Sequence, residues 1–363
     1  MRILHFCESI NRGGGIASMI SNLVSEQCRD NNITIGVINK SIGEEVIFES
    51  NVDIHNFNKT KLGFSIKYPI LIFIYLLKNR FDIVHIHSSF LYYALSIILL
   101  HHRTKFVYTV HSDAKMENSS SWDKRFFWLK KYCFKHKFIY PITISPASKQ
   151  SFDELYMMNS HMIENGIKRS NKDKKTTKLN IYRYTDNTLL FLHPGRISEA
   201  KNQITLCRVF DKLIAEGNDI VLIIAGVKQD ITIYNNLEKY FSDRIVYIGE
   251  RNDVLDLLRE SDAMCLSSIW EGLPITLLEA MSVGCIPICT PVGGIPNVIT
   301  HNIDGVLSKS TSENDYYEAV KSFLKLTIAN RQKLKDATKE RFNNYDIVHT
   351  AERYQNYYLQ ILQ

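Results

Sequence analysis

Several features that would assign this sequence of 363 residues to other protein classes are absent from it. Its seven cysteines include no C-x-x-C pair, so we expect reduced packing residues rather than disulfides or metal ligands. The longest apolar runs, 69–77 and 90–100, are shorter than the ~20 residues of a spanning helix. No charged leader precedes the first apolar segment, so we expect no signal peptide and a cytoplasmic protein. No internal repeat or low-complexity tract is visible.

The length favours about two domains, each large enough for its own core. Short apolar segments alternate with helical patterns in both halves, which predicts α/β domains. We place the first domain at 1–166, a polar linker or exposed loop at 167–187, and the second domain at 188–344. The first half and the linker are basic, whereas the second half is mildly acidic.

The most informative segment is 263–304. A short apolar strand is followed by E-G-L-P, a helix that Gly284 is placed to end, a second strand, and a turn at Gly293-Gly294 before another short helix. This order predicts two helix N-termini at the carboxyl ends of parallel strands. Such ends bind anions, because unpaired N–H groups and the helix dipole both favour a phosphate.

Two carboxylates of this segment, Glu271 and Glu279, are eight positions apart. Their Cα atoms are therefore roughly 10 to 12 Å apart at about 1.5 Å per helical residue. That is wider than the ~5 to 9.5 Å between the carboxyl groups of a glycosidase pair, and it suits two hydroxyl-bearing rings of an extended ligand. The alternative is that Glu271 is an ordinary charge at a helix N-terminus and Glu279 a solvated one.

The stretch from Glu271 to Met281 resembles the E-x7-E motif of retaining GT-B glycosyltransferases, in the E-G-L-P-x4-E-A-M form of glycosyltransferase family 4. A second stretch, 195–202, resembles the G-R-x4-K-[GN] motif of the same family. The resemblance implies the GT-B fold, with two Rossmann-like domains facing across a cleft and the last helix, 345–363, packed back on the first domain. It also implies retaining, metal-independent transfer of a hexose or N-acetylhexosamine from a nucleotide sugar. UDP-sugars are favoured over GDP-sugars as donors, and no cofactor is expected.

The chemistry of the two motifs agrees with this function. Departure of a nucleoside diphosphate builds negative charge on its β-phosphate, and the fixed cations Arg196 and Lys201 would stabilise that charge. By resemblance, Glu271 orients the donor sugar, Glu279 binds the ribose hydroxyls, and His111 contacts the sugar near the reacting carbon. The remaining donor-binding candidates are Gly13, Gly14, Gly15, Arg251, Gly272, Leu273, Pro274, Ile275 and Thr276.

Some candidate residues remain open to a structural explanation or depart from the family pattern. For His85 and His87, in a strand that resembles the family's fourth-strand signature, a packing role is favoured over catalysis. Arg196 and Lys201 could be a surface pair before a helix. Asp113 is separated from His111 by Ser112, whereas the family often places an Asp directly after this histidine; only His111 is carried over. The second glycine loop has Asn297 where the family usually has Glu, which casts doubt on a side-chain role there.

The stretch 101–140 combines cations with aromatic residues. We predict that it forms a basic, aromatic helix on an anionic membrane surface, which indicates a peripheral protein on the inner face of the plasma membrane. The alternative is that the stretch is the solvated face of a packed helix. A nucleic-acid groove is a third possibility, but no nucleic-acid motif supports it. Its cations are Arg103, Lys105, Lys115, Lys124, Arg125, Lys130, Lys131, Lys135 and Lys137, and its aromatics are Trp122, Phe126, Phe127, Trp128, Tyr132 and Phe134.

The membrane prediction favours a lipid-linked or growing glycan acceptor, such as one on a polyprenyl carrier in O-antigen or capsule synthesis. Two other functions stay open. A nucleotide-sugar epimerase of the same architecture would convert the donor without an acceptor, and a non-catalytic nucleotide-binding module would turn over nothing. A nicotinamide dehydrogenase is disfavoured, because neither glycine loop has the G-x-G-x-x-G fingerprint.

Overall fold

A computed structural model of the chain describes residues 1–11, 15–41, 45–48, 51–61, 63–118, 124–169 and 179–363. The chain divides into two compact units, Met1–Lys168 with Ile347–Gln363, and Arg169–Asp346. In the described part of the chain, no helix combines the length and apolarity needed to cross a membrane. All seven cysteines are buried and free of disulfides.

The first unit contains a seven-stranded parallel sheet in the order β3-β2-β1-β4-β5-β6-β7. Its central strands are buried on both faces, which explains their continuous apolar runs. The strands are β1 (Arg2–Cys7), β2 (Asn32–Asn39), β3 (Asp53–Lys59), β4 (Ile83–Ile86), β5 (Lys105–Val110), β6 (Ile139–Thr143) and β7 (His161–Met162).

Helices cover both faces of this sheet. One face packs against the second, third, fifth and sixth helices through side chains that include Ile72, Ile97, Phe134 and Phe152. The opposite face carries the first and last helices. The helices are α1 (Gly15–Gln27), α2 (Lys67–Lys78), α3 (Ala94–Leu100), α4 (Ala114–Glu117), α5 (Phe127–Lys135), α6 (Pro146–Tyr156) and α14 (Ile347–Leu362), with a 3-10 turn at Phe90–Tyr92.

The second unit contains a six-stranded parallel sheet in the order β10-β9-β8-β11-β12-β13. Both sheets have Rossmann-like order, which confirms the predicted α/β class with two Rossmann-like domains. The strands are β8 (Leu189–Pro194), β9 (Ile220–Ala225), β10 (Ile245–Tyr247), β11 (Ala263–Leu266), β12 (Ile286–Cys289) and β13 (Val306–Leu307).

The helices of the second unit follow the sequence pattern closely. The predicted helix after E-G-L-P ends where Gly284 adopts φ +74°, a left-handed conformation that glycine tolerates. The helices are α7 (Gln203–Ala215), α8 (Ile231–Leu237), α9 (Val254–Glu260), α10 (Ile275–Val283), α11 (Ile295–Val298), α12 (Glu313–Leu324) and α13 (Ile328–Phe342), with 3-10 turns at Asn180–Tyr182, Glu199–Lys201, Glu238–Tyr240 and Asn343–Tyr345.

The basic, aromatic helix predicted within 101–140 is short. This stretch contains β5, α4, α5 and the start of β6, and only Phe127–Lys135 forms a helix of more than four residues in its described part. Lys130 is buried and donates a hydrogen bond to the Tyr108 hydroxyl at 3.2 Å, while Phe134 packs in the core. Trp128 and Tyr132 are exposed, and Trp122 lies outside the described residues.

Candidate active site

In the second unit, the candidate site begins at the loop after β8, which buried hydrogen bonds hold in place. His193 is fully buried, and its Nδ1 donates to the Cys265 carbonyl at 2.8 Å. Its Nε2 then accepts from Gln203 Nε2 at 3.0 Å, and Gln203 also donates to the Arg196 carbonyl at 2.9 Å. Burial lowers the pKa of His193 to about 4, so the ring is neutral at pH 7. These hydrogen bonds therefore fix the backbone of the loop that carries Arg196.

The two cations of this loop have different surroundings. Arg196 is exposed, and its guanidinium has no hydrogen-bond or ion-pair partner among the described residues. Lys201 Nζ lies 2.6 Å from Glu271 Oε1, with side-chain exposures of 14% and 11%. Ser268 Oγ donates to the same carboxylate oxygen at 2.6 Å. The structure thus brings together Lys201 and Glu271, which belong to different motifs and are 70 positions apart.

Main-chain contacts join the same two loops. The Ile269 N–H donates to the Ala200 carbonyl at 2.8 Å, and Ser267 Oγ donates to the carbonyls of Lys201 at 3.1 Å and Asn202 at 3.0 Å. Each contact links the loop after β11 to the loop after β8. Because both backbones are fixed to each other, the Lys201–Glu271 pair is held by the scaffold and not only by its own attraction.

The second glycine loop packs directly beneath E-G-L-P. Gly293 has φ +57°, and a Cβ atom at this position would lie 2.0 Å from the Glu271 carbonyl oxygen. The Gly294 N–H donates to the Gly272 carbonyl at 2.6 Å. Close approach of two backbones explains why the sequence needs glycine here. The loop supports Gly272 and the turns that lead into α10.

The N-terminus of α10 lies next to this support. Pro274 is extended, with ψ 124°, and immediately precedes the helix, while Leu273 and Ile275 are buried. The first helical N–H groups, at Ile275 and Thr276, have no carbonyl of the preceding turn to bind. The N–H groups of this terminus are therefore available to an anion, and anion binding here stays a prediction.

Glu279 lies within α10 and is partly buried. Within the described ranges, its carboxylate has no hydrogen-bond or ion-pair partner. Desolvation raises its pKa to about 7, so the side chain titrates near neutrality. A solvated surface carboxylate would not be shifted in this way. The structure instead presents an unpaired, partly buried acceptor, and such groups are candidates for ligand contact.

Arg251 lies in the loop after β10. Its Nε and Nη2 donate to the two carboxylate oxygens of Asp253, at 2.8 Å and 2.7 Å. This bidentate pair holds the guanidinium against its own loop. The role predicted for Arg251, contact with the nucleobase, would require part of this pair to be shared with the ligand.

In the first unit, His111 follows β5. The Glu117 carboxylate accepts hydrogen bonds from the backbone N–H groups of His111 at 2.7 Å and Ser112 at 3.1 Å. Asp113 accepts from the Lys115 and Met116 N–H groups, so it caps α4. Sequence reasoning missed the role of Glu117, because a carboxylate six positions from a candidate histidine has no distinctive pattern.

The glycines of the first loop are described only in part. Gly13 and Gly14 lie outside the described residues, and Gly15 is the first residue of α1. Among the described residues, one group of three side chains could hold a metal ion: His5, His85 and His87, whose ligand atoms lie within 4.8 Å of one another. His85 already bonds the Tyr358 hydroxyl and Thr109 Oγ1, each at 2.6 Å, so a metal would have to displace a satisfied contact.

Comparison with known proteins gives two family matches. The model described as Glycosyltransferase Family 4 matches residues 13–171, and that described as Glycosyl transferases group 1 matches residues 174–341. The chain is 25% identical over 304 residues to the Escherichia coli UDP-Gal:alpha-D-GlcNAc-diphosphoundecaprenol alpha-1,3-galactosyltransferase, covering 78% of this chain and 77% of that relative. It is 26% identical over 312 residues to the Staphylococcus aureus capsular polysaccharide biosynthesis glycosyltransferase CapH, covering 80% and 82%.

Solved structures show the same fold. Anabaena Alr3699/HepE, in complex with UDP and glucose, superposes with a TM-score of 0.80 at 16% identity and covers 98% of both chains. WaaG, a glycosyltransferase involved in lipopolysaccharide biosynthesis, has a TM-score of 0.76 at 14% identity and covers 97% of this chain and 98% of its own. At such identities, the likeness is one of fold.

Proposed function

Since this chain is a glycosyltransferase of family 4 with the GT-B fold, we propose that it transfers a hexosyl or N-acetylhexosaminyl unit from a nucleotide sugar to a glycan hydroxyl. UDP is the favoured nucleotide, and the transfer retains the anomeric configuration and needs no metal ion. The observation that carries the proposal is the Lys201–Glu271 contact at 2.6 Å, which unites the two motif loops around the helix terminus of α10.

Each residue has a chemical task in this proposal. Arg196, exposed and unpaired within the described chain, binds the leaving diphosphate through its planar fork. Lys201 uses one of its three N–H groups on Glu271 and keeps the others for phosphate oxygen. The N–H groups at the start of α10 add a partial positive charge. Because all three strengthen as charge builds on the β-phosphate, they lower the barrier to departure.

The carboxylates orient the donor. Glu271 is held by Lys201 and Ser268 through one oxygen, Oε1, so its other oxygen is available to a sugar hydroxyl. Glu279, unpaired among the described residues, accepts from the ribose hydroxyls. His111 contacts the sugar as a neutral ring, because desolvation lowers its pKa to about 3. The leaving phosphate accepts the proton of the acceptor hydroxyl.

The names of relatives support a lipid-linked or growing glycan acceptor. One relative acts on a GlcNAc-diphosphoundecaprenol, a Campylobacter jejuni relative on N,N'-diacetylbacillosaminyl-diphospho-undecaprenol, and CapH in capsular polysaccharide biosynthesis. We therefore propose a polyprenyl-linked acceptor in O-antigen- or capsule-type synthesis.

The test is incubation of the purified chain with UDP-hexoses and a polyprenyl-diphosphate sugar, with and without EDTA. Formation of an α-linked product that depends on the acceptor and survives EDTA supports the proposal. Conversion of the donor to its epimer without acceptor would identify an epimerase, and binding of UDP without any turnover would identify a non-catalytic module. Unchanged turnover in both Glu271→Ala and Arg196→Ala would contradict the assigned site.

The titration of Glu279 predicts how donor binding depends on pH. Ribose hydroxyls donate to the ionised carboxylate, so bound nucleotide favours ionisation. With a free-protein pKa of about 7, one linked proton weakens UDP affinity about tenfold between pH 8 and pH 6. Calorimetry of the wild type and Glu279→Gln checks this, since the titration of UDP itself is common to both. Parallel profiles in the two proteins would contradict a ribose contact by the ionised group.

We also propose that the first unit rests on an anionic bilayer, as a peripheral protein of the inner leaflet. The structure suggests a surface larger than the predicted 101–140 stretch. Neighbouring helices α2 and α3 expose aliphatic side chains, and α5, which adjoins α3, exposes Trp128 and Tyr132. None of the three helices contains Asp or Glu. The exposed aliphatic residues are Ile66, Ile70, Leu71, Ile74, Leu77, Ile98 and Leu99.

Cations border this apolar surface at the carboxyl ends of its helices, which favours lipid over a protein groove. Exposed Lys78, Arg80 and Arg103 lie at or just beyond the carboxyl ends of α2 and α3, and Arg103 reaches the Leu77 carbonyl at 3.4 Å. Lys135 and Lys137 have the same position at the end of α5. Apolar side chains flanked by cations match the acyl chains and anionic headgroups of an interface.

Flotation with vesicles tests this surface. We expect the wild type to float with phosphatidylglycerol vesicles, less in high salt, and not with phosphatidylcholine vesicles. An aspartate at the centre of the surface, Ile74→Asp, should reduce flotation at least tenfold. The control is Ile231→Asp, which places the same charge at an exposed isoleucine of the second unit. Equal flotation of the two variants, or no flotation of the wild type, would contradict the proposal.

A further inference from the structure

A row of hydrogen-bonded side chains leads from α1 to His111 across three adjacent strands of the first unit. Gln27 Oε1 lies 2.8 Å from His5 Nε2, His5 Nδ1 lies 3.0 Å from His87 Nε2, and His87 Nδ1 lies 3.0 Å from His111 Nε2. The first three side chains are buried and only His111 is partly exposed. We call this row, Gln27–His5–His87–His111, the histidine relay.

Each ring of the relay is neutral. Burial lowers the pKa of His5 to about 4 and that of His87 well below its usual value, and desolvation lowers that of His111 to about 3. A neutral imidazole carries one N–H and one lone pair, so each ring that donates at one nitrogen must accept at the other. The direction of every hydrogen bond in the relay is therefore set by its buried end.

The buried end is the amide oxygen of Gln27, which can only accept. His5 must then donate through Nε2 and accept at Nδ1, so His87 donates through Nε2 and accepts at Nδ1. His111 in turn donates through Nε2 to His87. We propose that the histidine relay fixes His111 as its Nε2–H tautomer, so that Nδ1 presents a lone pair to a hydroxyl of the donor sugar.

Gln27, His5 and His87 are thus positioning residues that act through His111. Glu117 accepts a hydrogen bond from the backbone N–H of His111 and so fixes that backbone. Both the position of the ring and the nitrogen that carries its proton are therefore determined. The role of the lone pair rests on the proposed contact between His111 and the donor. The tautomer itself can be observed without any donor.

The decisive variant is Gln27→Leu, which keeps the volume but removes the acceptor. His5 would then bury an unpaired N–H if the relay kept its direction. If every hydrogen bond of the relay reversed its direction, His5 would bury only an unpaired lone pair at Nε2. An unpaired lone pair costs less free energy than an unpaired N–H. We therefore expect the proton of His111 to move from Nε2 to Nδ1 in this variant, while the backbone of His111 stays in place. Gln27→Glu retains an acceptor and should retain the wild-type tautomer.

Two measurements on the full-length protein test this. The 15N shifts of labelled histidine, assigned by loss of the signals in His111→Asn, report which nitrogen of His111 is protonated. Donor KM and kcat report the consequence, and we expect KM to rise about tenfold in Gln27→Leu while the protein stays folded with a somewhat lower melting temperature. Gln27→Glu should restore KM to within about threefold of wild type.

The possible results separate the relay from the proposed function. A wild-type His111 protonated at Nδ1, or a Gln27→Leu spectrum identical to wild type, would overturn the relay. A tautomer switch without any change in donor KM would preserve the relay as a structural device but remove its role in donor binding. His111→Asn with wild-type kinetics would instead contradict the site assignment of His111.

Discussion

Replacing Lys201 with alanine should reduce glycosyl transfer by about a thousandfold while the protein remains folded. Removal of one preorganised charge-stabilising group costs about 10²- to 10³-fold in turnover. Lys201 has a second effect, because it pairs with Glu271 at 2.6 Å in a partly buried position. Without the ammonium group, Glu271 keeps only the Ser268 hydroxyl and is free to leave its orientation. The initial rate with saturating acceptor measures the loss.

A double-mutant cycle and a matched lysine make this prediction specific. Because Lys201 and Glu271 act as a pair, the double variant Lys201→Ala/Glu271→Ala should be little worse than either single variant. Lys333→Ala removes an exposed lysine of α13 in the same unit and should leave the rate within about twofold of wild type. Additive losses in the cycle would mean that the two side chains act independently and that their contact has no role in transfer.

The fold was predictable because its signals are local. Apolar runs between glycine turns define buried parallel strands, and the regular β/α alternation of each half predicts α/β domains, while the Rossmann-like arrangement was implied by the family resemblance. The start and the end of the helix after E-G-L-P were predicted from Pro274 and Gly284. Each of these residues marks a helix end through its own backbone conformation. The Arg251–Asp253 pair spans only two positions, so it too could have been anticipated from the sequence.

The contacts that organise the site were not predictable in the same way. Glu117 and Gln27 act through partners that only the folded sheet brings near, and neither residue belongs to a recognisable motif. The 101–140 stretch shows the opposite error. Its composition suggested one exposed helix, but Lys130 points inward to Tyr108, because a lysine stem can pack in a core when its ammonium finds an oxygen. Composition does not specify which side chains of a helix face the sheet.

A methyl group added at Gly293 should abolish most donor use without unfolding the second unit. The change Gly293→Ala has two costs. The positive φ of +57° is strained for alanine, and the new Cβ would lie 2.0 Å from the Glu271 carbonyl oxygen and 2.9 Å from that of Gly272. Strain alone costs about 1 kcal/mol. The contact cannot be tolerated at that distance, so the E-G-L-P backbone must move, and Glu271 moves with it. We expect transfer to fall more than a hundredfold and UDP binding to weaken.

Gly217→Ala separates the two costs. Gly217 also has a positive φ, +86°, but a Cβ there would meet nothing within 4 Å. Gly217→Ala should therefore melt lower by roughly 2 to 4 °C for about 1 kcal/mol in a domain of this size and stay active, whereas Gly293→Ala should melt lower by at least as much and lose activity. If the two variants lost activity equally, general destabilisation would explain the effect. If neither variant lost activity, the active geometry of the donor site would not depend on the close contact of the glycine loop with Glu271 and Gly272.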